Sequence, residues 1–347
     1  MQTVEHPAWK PLFLGTAVGI SALLVQLFRI PLGFLFVVTC FVLVQLFMHT
    51  LFLKSAERII GPVAASLISV IALHWIGMHT LPGLLCCAVI VFGFSYYYAQ
   101  KFYDYGMILG AITSALVMTF YYFVSPHEAY QIALYWPLNI IFGAILTCLL
   151  ALLLQLAQPF RFYEPRQTNK LAMQFPKPNL YATLVALRMS IAIFLVILEN
   201  FWLKDPSTTV QGVIAAAVVS AQLRMTHAHH RLFFRVLGVI VGACIAIFYG
   251  KLFSLYYSIP FLIAVITLTL MLFSWLTQVL PRYLEYFFLQ AGVMIPVILF
   301  DTSGHQFFNE SLGIHRALGS IEGGLIALVV VYLFHIPIQK ISASSTH

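Results

Sequence analysis

Residues 131–156 read QIALYWPLNIIFGAILTCLLALLLQL, without one charged side chain. As an α-helix this run is about 39 Å long at 1.5 Å per residue. A bilayer core is about 30 Å thick and takes roughly 20 apolar residues per crossing. The run shows no alternation of apolar and polar residues and is far longer than the roughly ten-residue segments of a transmembrane barrel. It reads as one membrane-spanning helix, and the rest of the chain follows the same pattern.

Outward from it, spans are expected at 11–28, 32–50, 56–77, 81–99, 106–124, 131–156, 181–202, 208–225, 231–253, 259–279, 283–300 and 311–336. The composition demands this: of 347 residues 61% are hydrophobic and 8% charged, and mean hydropathy is +0.95. A soluble domain carries about 25% charge, and a disordered chain is poorer still in apolar residues. The expected class is therefore an all-α polytopic membrane protein of about twelve helices, in contact with lipid throughout. A nucleic-acid partner is not expected, because the +7 formal charge forms no dense basic face. Glu5, His6 and Lys10 precede the first run without a small-residue cleavage pattern, so that run reads as a span and not as a removed leader.

Loop charge orients the chain. With the N-terminus cytoplasmic, thirteen Lys and Arg fall inside, among them Lys10, Lys54, Arg58, Lys101, Arg235 and Arg282, against Arg29, Lys204 and Lys251 outside. The excess of basic residues on one side predicts cytoplasmic termini at both ends. The one substantial polar stretch, 158–180, divides the chain into a first six-helix repeat (1–157), a linker (158–180) and a second six-helix repeat (181–347). Internal matches support the duplication. Val44-Gln45-Leu46-Phe47-Met48 meets Ala221-Gln222-Leu223-Arg224-Met225 at an offset of 177, and Arg58-Ile59-Ile60-Gly61 meets Arg235-Val236-Leu237-Gly238 at the same offset. Pro82 meets Pro260, and Gly143 meets Gly323, at slightly larger offsets. Six spans per copy make the repeats parallel, and a substrate path is expected between them.

Five residues could carry chemistry. Arg58 and Arg235 open corresponding spans on the cytoplasmic side, each followed by small residues at i+3 and i+7 that let helices approach closely. Their guanidinium forks would hold a carboxylate, though anchoring at the interface is the competing reading. Arg188 lies a turn or two into span seven, and Arg316 lies on span twelve, where a charge is costly unless it faces a bundle interior. These four arginines are the expected anion-binding set. Glu322, the most deeply placed acid, is the candidate proton carrier; a packing role satisfied by a neighbour competes. Glu199 reads as interfacial. The histidines of Thr226-His227-Ala228-His229-His230 read as a loop cluster lacking a metal-site partner, and Asp301, His305, Glu310 and His315 as an outer-loop group. No metal, cofactor or catalytic constellation is expected, and no P-loop supplies an ATP motor. The five cysteines lie in apolar runs without a CxxC pair and read as packing residues.

The stretch from Val210 to Phe253 resembles the fusaric acid resistance family, which includes aromatic carboxylic acid exporters. The resemblance rests on Arg231-Leu232-Phe233-Phe234-Arg235-Val236-Leu237-Gly238-Val239-Ile240-Val241-Gly242 and on Arg316 through Gly323-Gly324-Leu325-Ile326-Ala327, followed by His335-Ile336-Pro337. A degenerate copy runs from Arg58 to Ala65, with Pro62 where the family favours Thr. The resemblance implies export of small organic anions, aromatic or hydroxylated carboxylates, across a bacterial inner membrane. It also implies a periplasmic membrane-fusion adaptor as partner and leaves room for a homo-oligomer. The chain resembles a short branch without the large cytoplasmic domains of bigger members. A similar six-span module in plant malate channels keeps a passive anion channel open as the alternative, beside a non-transport scaffold.

Overall fold

The computed structural model describes residues 9–47, 50–77, 80–100, 104–157, 179–203, 206–222, 225–256, 258–300 and 310–344. Within them run twelve α-helices: α1 (Trp9–Phe28), α2 (Phe34–Phe47), α3 (Leu51–Ile76), α4 (Thr80–Ala99), α5 (Asp104–Phe123), α6 (Pro126–Ala157), α7 (Leu180–Leu203), α8 (Pro206–Ser220), α9 (Met225–Tyr256), α10 (Ile259–Val279), α11 (Glu285–Leu299) and α12 (Glu310–Ser344). Each answers to one expected span. Nine described helices are long and apolar enough to cross a membrane, and the chain is a multi-pass helical membrane protein. Leu67, Ile71 and Trp75 form an exposed stripe on α3, and Leu149, Leu153 and Leu156 another on α6. In water such stripes would be an aggregation surface; in a bilayer they face acyl chains.

Three apolar stretches are shorter than expected: Phe34–Gln45, Thr208–Ser220 and Glu285–Leu299. Fifteen residues make a helix only about 22 Å long, less than the hydrocarbon thickness. These helices are instead buried by their neighbours. Of α11, Phe288 to Gly292 and Met294 to Leu299 are all buried, and on α2 Phe34 to Val38 and Cys40 to Val44 are buried.

Two compact units divide the chain. One takes Met1–Ala56, Leu138–Arg166 and Phe234–Ile314; the other takes Glu57–Pro137, Gln167–Phe233 and His315–His347. Each draws helices from both sequence halves, and the boundaries fall inside α3, α6, α9 and α12. Most of the 158–180 linker, with Arg161, Glu164, Arg166, Lys170 and Lys177, lies outside the described residues.

In the first unit α1 packs on α2 and α10, and α11 packs on α2 and α10, closing a ring of four helices. Glycines seat two further helices on it. A Cβ on Gly238 of α9 would stand 2.6 Å from the Phe287 carbonyl oxygen of α11, and one on Gly143 of α6 would stand 2.9 Å from the Phe36 carbonyl oxygen of α2. The turn into α2 is tight. Arg29 and Leu32 adopt φ of 47° and 55°, and Asn139 Nδ2 donates to the Pro31 carbonyl at 2.8 Å. Ser258 caps α10 through the Phe261 N–H, with Pro260 in the first turn.

The second unit closes a ring of α7, α8, α5 and α4. Gly61 of α3 lies against the carbonyl of Gly106 on α5, Gly319 of α12 against Thr208 of α8, and Gly323 against Gly212. In each case the bare Cα lets two backbones meet where any side chain would collide. Pro62, inside α3, has no N–H to give to the carbonyl of Arg58 four residues back.

Candidate functional site

Four arginines lie inside these apolar helices and are withdrawn from solvent: Arg188 is 1% exposed, Arg235 3%, Arg58 5% and Arg316 5%. For Arg58 and Arg235 this corrects the expected position at a span's edge. Helix α3 begins at Leu51 and α9 at Met225, so both arginines are two or more turns into their helices. A side chain snorkelling to an interface would show much more surface. Arg58, Arg188, Arg316 and Glu322 belong to the second unit and Arg235 to the first.

Arg58 and Arg235 have matching neighbours. The Arg58 guanidinium stands over the ring of Tyr105 on α5, 5.4 Å from its centroid. Arg235 Nη1 donates to the hydroxyl of Tyr286 on α11 at 3.4 Å. Each arginine thus rests on the tyrosine that precedes the carbonyl against which its own i+3 glycine packs: Gly106 for Gly61, Phe287 for Gly238. An aromatic face stabilises a desolvated cation by about 2 kcal/mol or more, and a phenol supplies a neutral acceptor. Neither removes the positive charge. Glu57, beside Arg58, is also buried.

Arg188 is held differently. Its Nη2 donates to the carbonyl of Gln222, just past the end of α8, at 2.8 Å. Its Nε is buried and has no hydrogen-bond partner. The phenols of Tyr181 and Tyr98 lie within electrostatic reach. In the first unit Lys10 Nζ donates to the carbonyl of Gln45, near the end of α2, at 2.8 Å. Gln45 Nε2 in turn donates to Thr277 Oγ1 on α10 at 2.7 Å. Cations at helix C-termini are favoured by the exposed carbonyls there. The sequence marked Gln45 and Gln222 only as a repeated pair. That each receives a cation from the preceding helix was not legible, since Lys10 read as a cytoplasmic flank.

Glu322 lies twelve residues into α12 and is half-buried. Glu199, which read as interfacial, lies within electrostatic reach of it, and Glu199 Oε2 is a buried oxygen with no hydrogen-bond partner. Sequence offered no sign that these two acids, 123 positions apart on α7 and α12, come within reach of one another. Arg316 is buried while Glu322 is half open, in keeping with different helix faces. The stretch 226–230 is not a loop: His227, His229 and His230 sit in the first turns of α9. Asp301 and His305 fall outside the described residues. Among the described residues no three His, Cys, Asp or Glu side chains gather as a metal site.

Residues 13–154 match the family described as fusaric acid resistance protein-like. That match shows the resemblance read from the sequence, and it lies on the first half of the chain, where the motif is degenerate, rather than on the 210–253 stretch. No curated protein and no solved structure matches the chain.

Proposed function

We propose that this chain, whose first half matches the fusaric acid resistance protein-like family, is a secondary transporter that exports small organic anions, aromatic or hydroxylated carboxylates, across a bacterial inner membrane. The observation that carries the reading is the burial of Arg58, Arg188, Arg235 and Arg316 to 5% exposure or less within apolar helices. A charged residue at the centre of a span costs about 2.5–3.5 kcal/mol even on insertion scales, and such residues mark substrate or ion pathways. Arginine suits a planar carboxylate through two parallel N–H donors.

The proposal includes two parallel six-helix repeats, 1–157 and 181–347, joined by the 158–180 linker, with both termini cytoplasmic. What supports it is that adding or subtracting six turns each of the four helix pairs that close one ring into a pair that closes the other. α1 on α2 becomes α7 on α8, α1 on α10 becomes α7 on α4, and α2 on α11 becomes α8 on α5. The short helices α2 and α8 then occupy corresponding places, which in transporters built from repeats points to the binding region. Glu322, with Glu199 near it, is the proposed proton carrier. The protein is proposed to work with a periplasmic adaptor, without catalytic chemistry of its own.

The test is flux of radiolabelled benzoate in proteoliposomes of the full chain. Arg235→Ala should lower flux at least tenfold with unchanged membrane insertion; undiminished flux discards the arginine assignment. Glu322→Gln should abolish the response to an imposed proton gradient. Flux that ignores both the gradient and that variant would instead make the protein a passive channel.

A further inference from the structure

Within the transport reading just given, we propose that Arg188 is the seat of the bound anion, a buried site in the second unit that takes a single small carboxylate through the Nε side of its guanidinium. The argument begins with charge. Arg188 is 1% exposed, one of the largest fully buried side chains of the protein. Its hydrogen bond goes to a neutral acceptor, the Gln222 carbonyl, at 2.8 Å. Nε keeps a buried N–H with no partner. A buried cation left without a counter-charge is strongly unfavourable, and a buried donor left unsatisfied adds about 1–3 kcal/mol. A carboxylate oxygen accepting from Nε removes both penalties at once, forming a charge-assisted hydrogen bond.

Comparison with the other unit separates a seat from a structural clasp. Lys10 makes the corresponding bond, to the Gln45 carbonyl at 2.8 Å. Position 10 is 178 residues before Arg188, and Gln45 is 177 before Gln222. A cation on the end of the short helix is therefore the shared structural element, and lysine supplies it. Lys10 is half-buried, where water can solvate an ammonium. At Arg188 the site is closed, the cation is a planar fork, and one donor is left over. Fastening the end of α8 does not call for that extra donor; binding an anion does. Arg58 and Arg235 differ again, because each leans on a tyrosine of its own unit.

The experiment uses the full chain in nanodiscs of phosphatidylcholine alone, with benzoate as probe, read by calorimetry and by the thermal midpoint. Wild type is expected to bind one benzoate per chain saturably. Arg188→Gln should lose binding more than thirtyfold, whereas Lys10→Gln should bind within threefold of wild type. Should Arg188→Gln fail to fold, Arg188→Lys keeps the charge but not the fork, and benzoate affinity should fall about tenfold. Unchanged affinity in either folded variant overturns the seat, as does absence of saturable binding to wild type. Phosphatidylglycerol added to the discs should not displace benzoate; displacement would assign Arg188 to a lipid phosphate and also overturn it. The transport reading fails separately. If Arg188 governs binding but wild-type proteoliposomes carry no flux, the seat stands and the transporter falls. If flux proceeds with unaltered half-saturation in Arg188→Lys, the seat falls and the transporter stands.

Discussion

The guanidinium of Arg58 lies 5.4 Å from the ring centroid of Tyr105. In the other unit Arg235 reaches Tyr286 through the phenolic oxygen at 3.4 Å. The two contacts use different parts of the same side chain, the face in one unit and the hydroxyl in the other. They should answer differently to the same substitution. Tyr286→Phe removes the acceptor of a buried charge and should lower stability by about 1.5–3 kcal/mol. Tyr105→Phe keeps the ring face, in which the cation–π attraction resides, and its loss should be the smaller of the two. Thermal midpoints of the purified variants, compared side by side, check the contrast; equal losses would contradict it.

Gly61 meets the Gly106 carbonyl, whereas Gly93 on α4 has nothing within 4 Å of where a Cβ would stand. Gly61→Ala forces a methyl group into backbone that cannot step aside, and overpacking of this kind costs about 1–3 kcal/mol or more. Gly93→Ala should instead stabilise α4 by about 0.5–1 kcal/mol. Monodisperse yield and thermal midpoint measured by size-exclusion fluorescence distinguish the two signs.

Leu32 holds φ at 55°, a conformation that disfavours a branched side chain. Replacing it with glycine releases roughly 1 kcal/mol of local strain. Leu32→Gly should therefore raise the thermal midpoint slightly. A lowered midpoint would show that the half-buried leucine side chain contributes more through packing than its backbone loses.

In the first unit α1 packs on α10 and α2 on α11, and in the second α4 packs on α7 and α5 on α8. Neither half of the chain can then complete a unit from its own helices. Residues 1–166 and 167–347 made as separate chains in one cell should copurify through a tag on either. Residues 1–166 expressed alone should be degraded or recovered as a self-associated dimer. A stable monomer of residues 1–166 would contradict this pairing.

The sequence carried the helices well because a bilayer sets their length: the 181–202 run is realised as Leu180–Leu203 and the 259–279 run as Ile259–Val279. It overstated α8, whose apolar run continues past the point where the helix stops. Hydropathy measures how a residue partitions, not whether its backbone is still coiled. Burial of Arg58 and Arg235 was half visible, in the small residues beside them that admit a second helix. Which helix comes close was not visible, because a glycine accepts any backbone: Gly61 takes α5 and Gly238 takes α11. The cation clasps at Gln45 and Gln222 hid for the opposite reason. Their acceptors are main-chain carbonyls, which every residue possesses and no side-chain pattern reports.

The ring of α1, α2, α10 and α11 also has a consequence for biosynthesis. A ribosome delivers α1 and α2 to the membrane some 230 residues before α10 is complete. Throughout that interval the newborn first helices have lipid, an insertase or a chaperone where α10 and α11 will later stand. The ring of α4, α5, α7 and α8 closes first, as soon as α8 is threaded. Assembly is thus ordered by translation, and the earliest helices made are among the last to find their permanent neighbours.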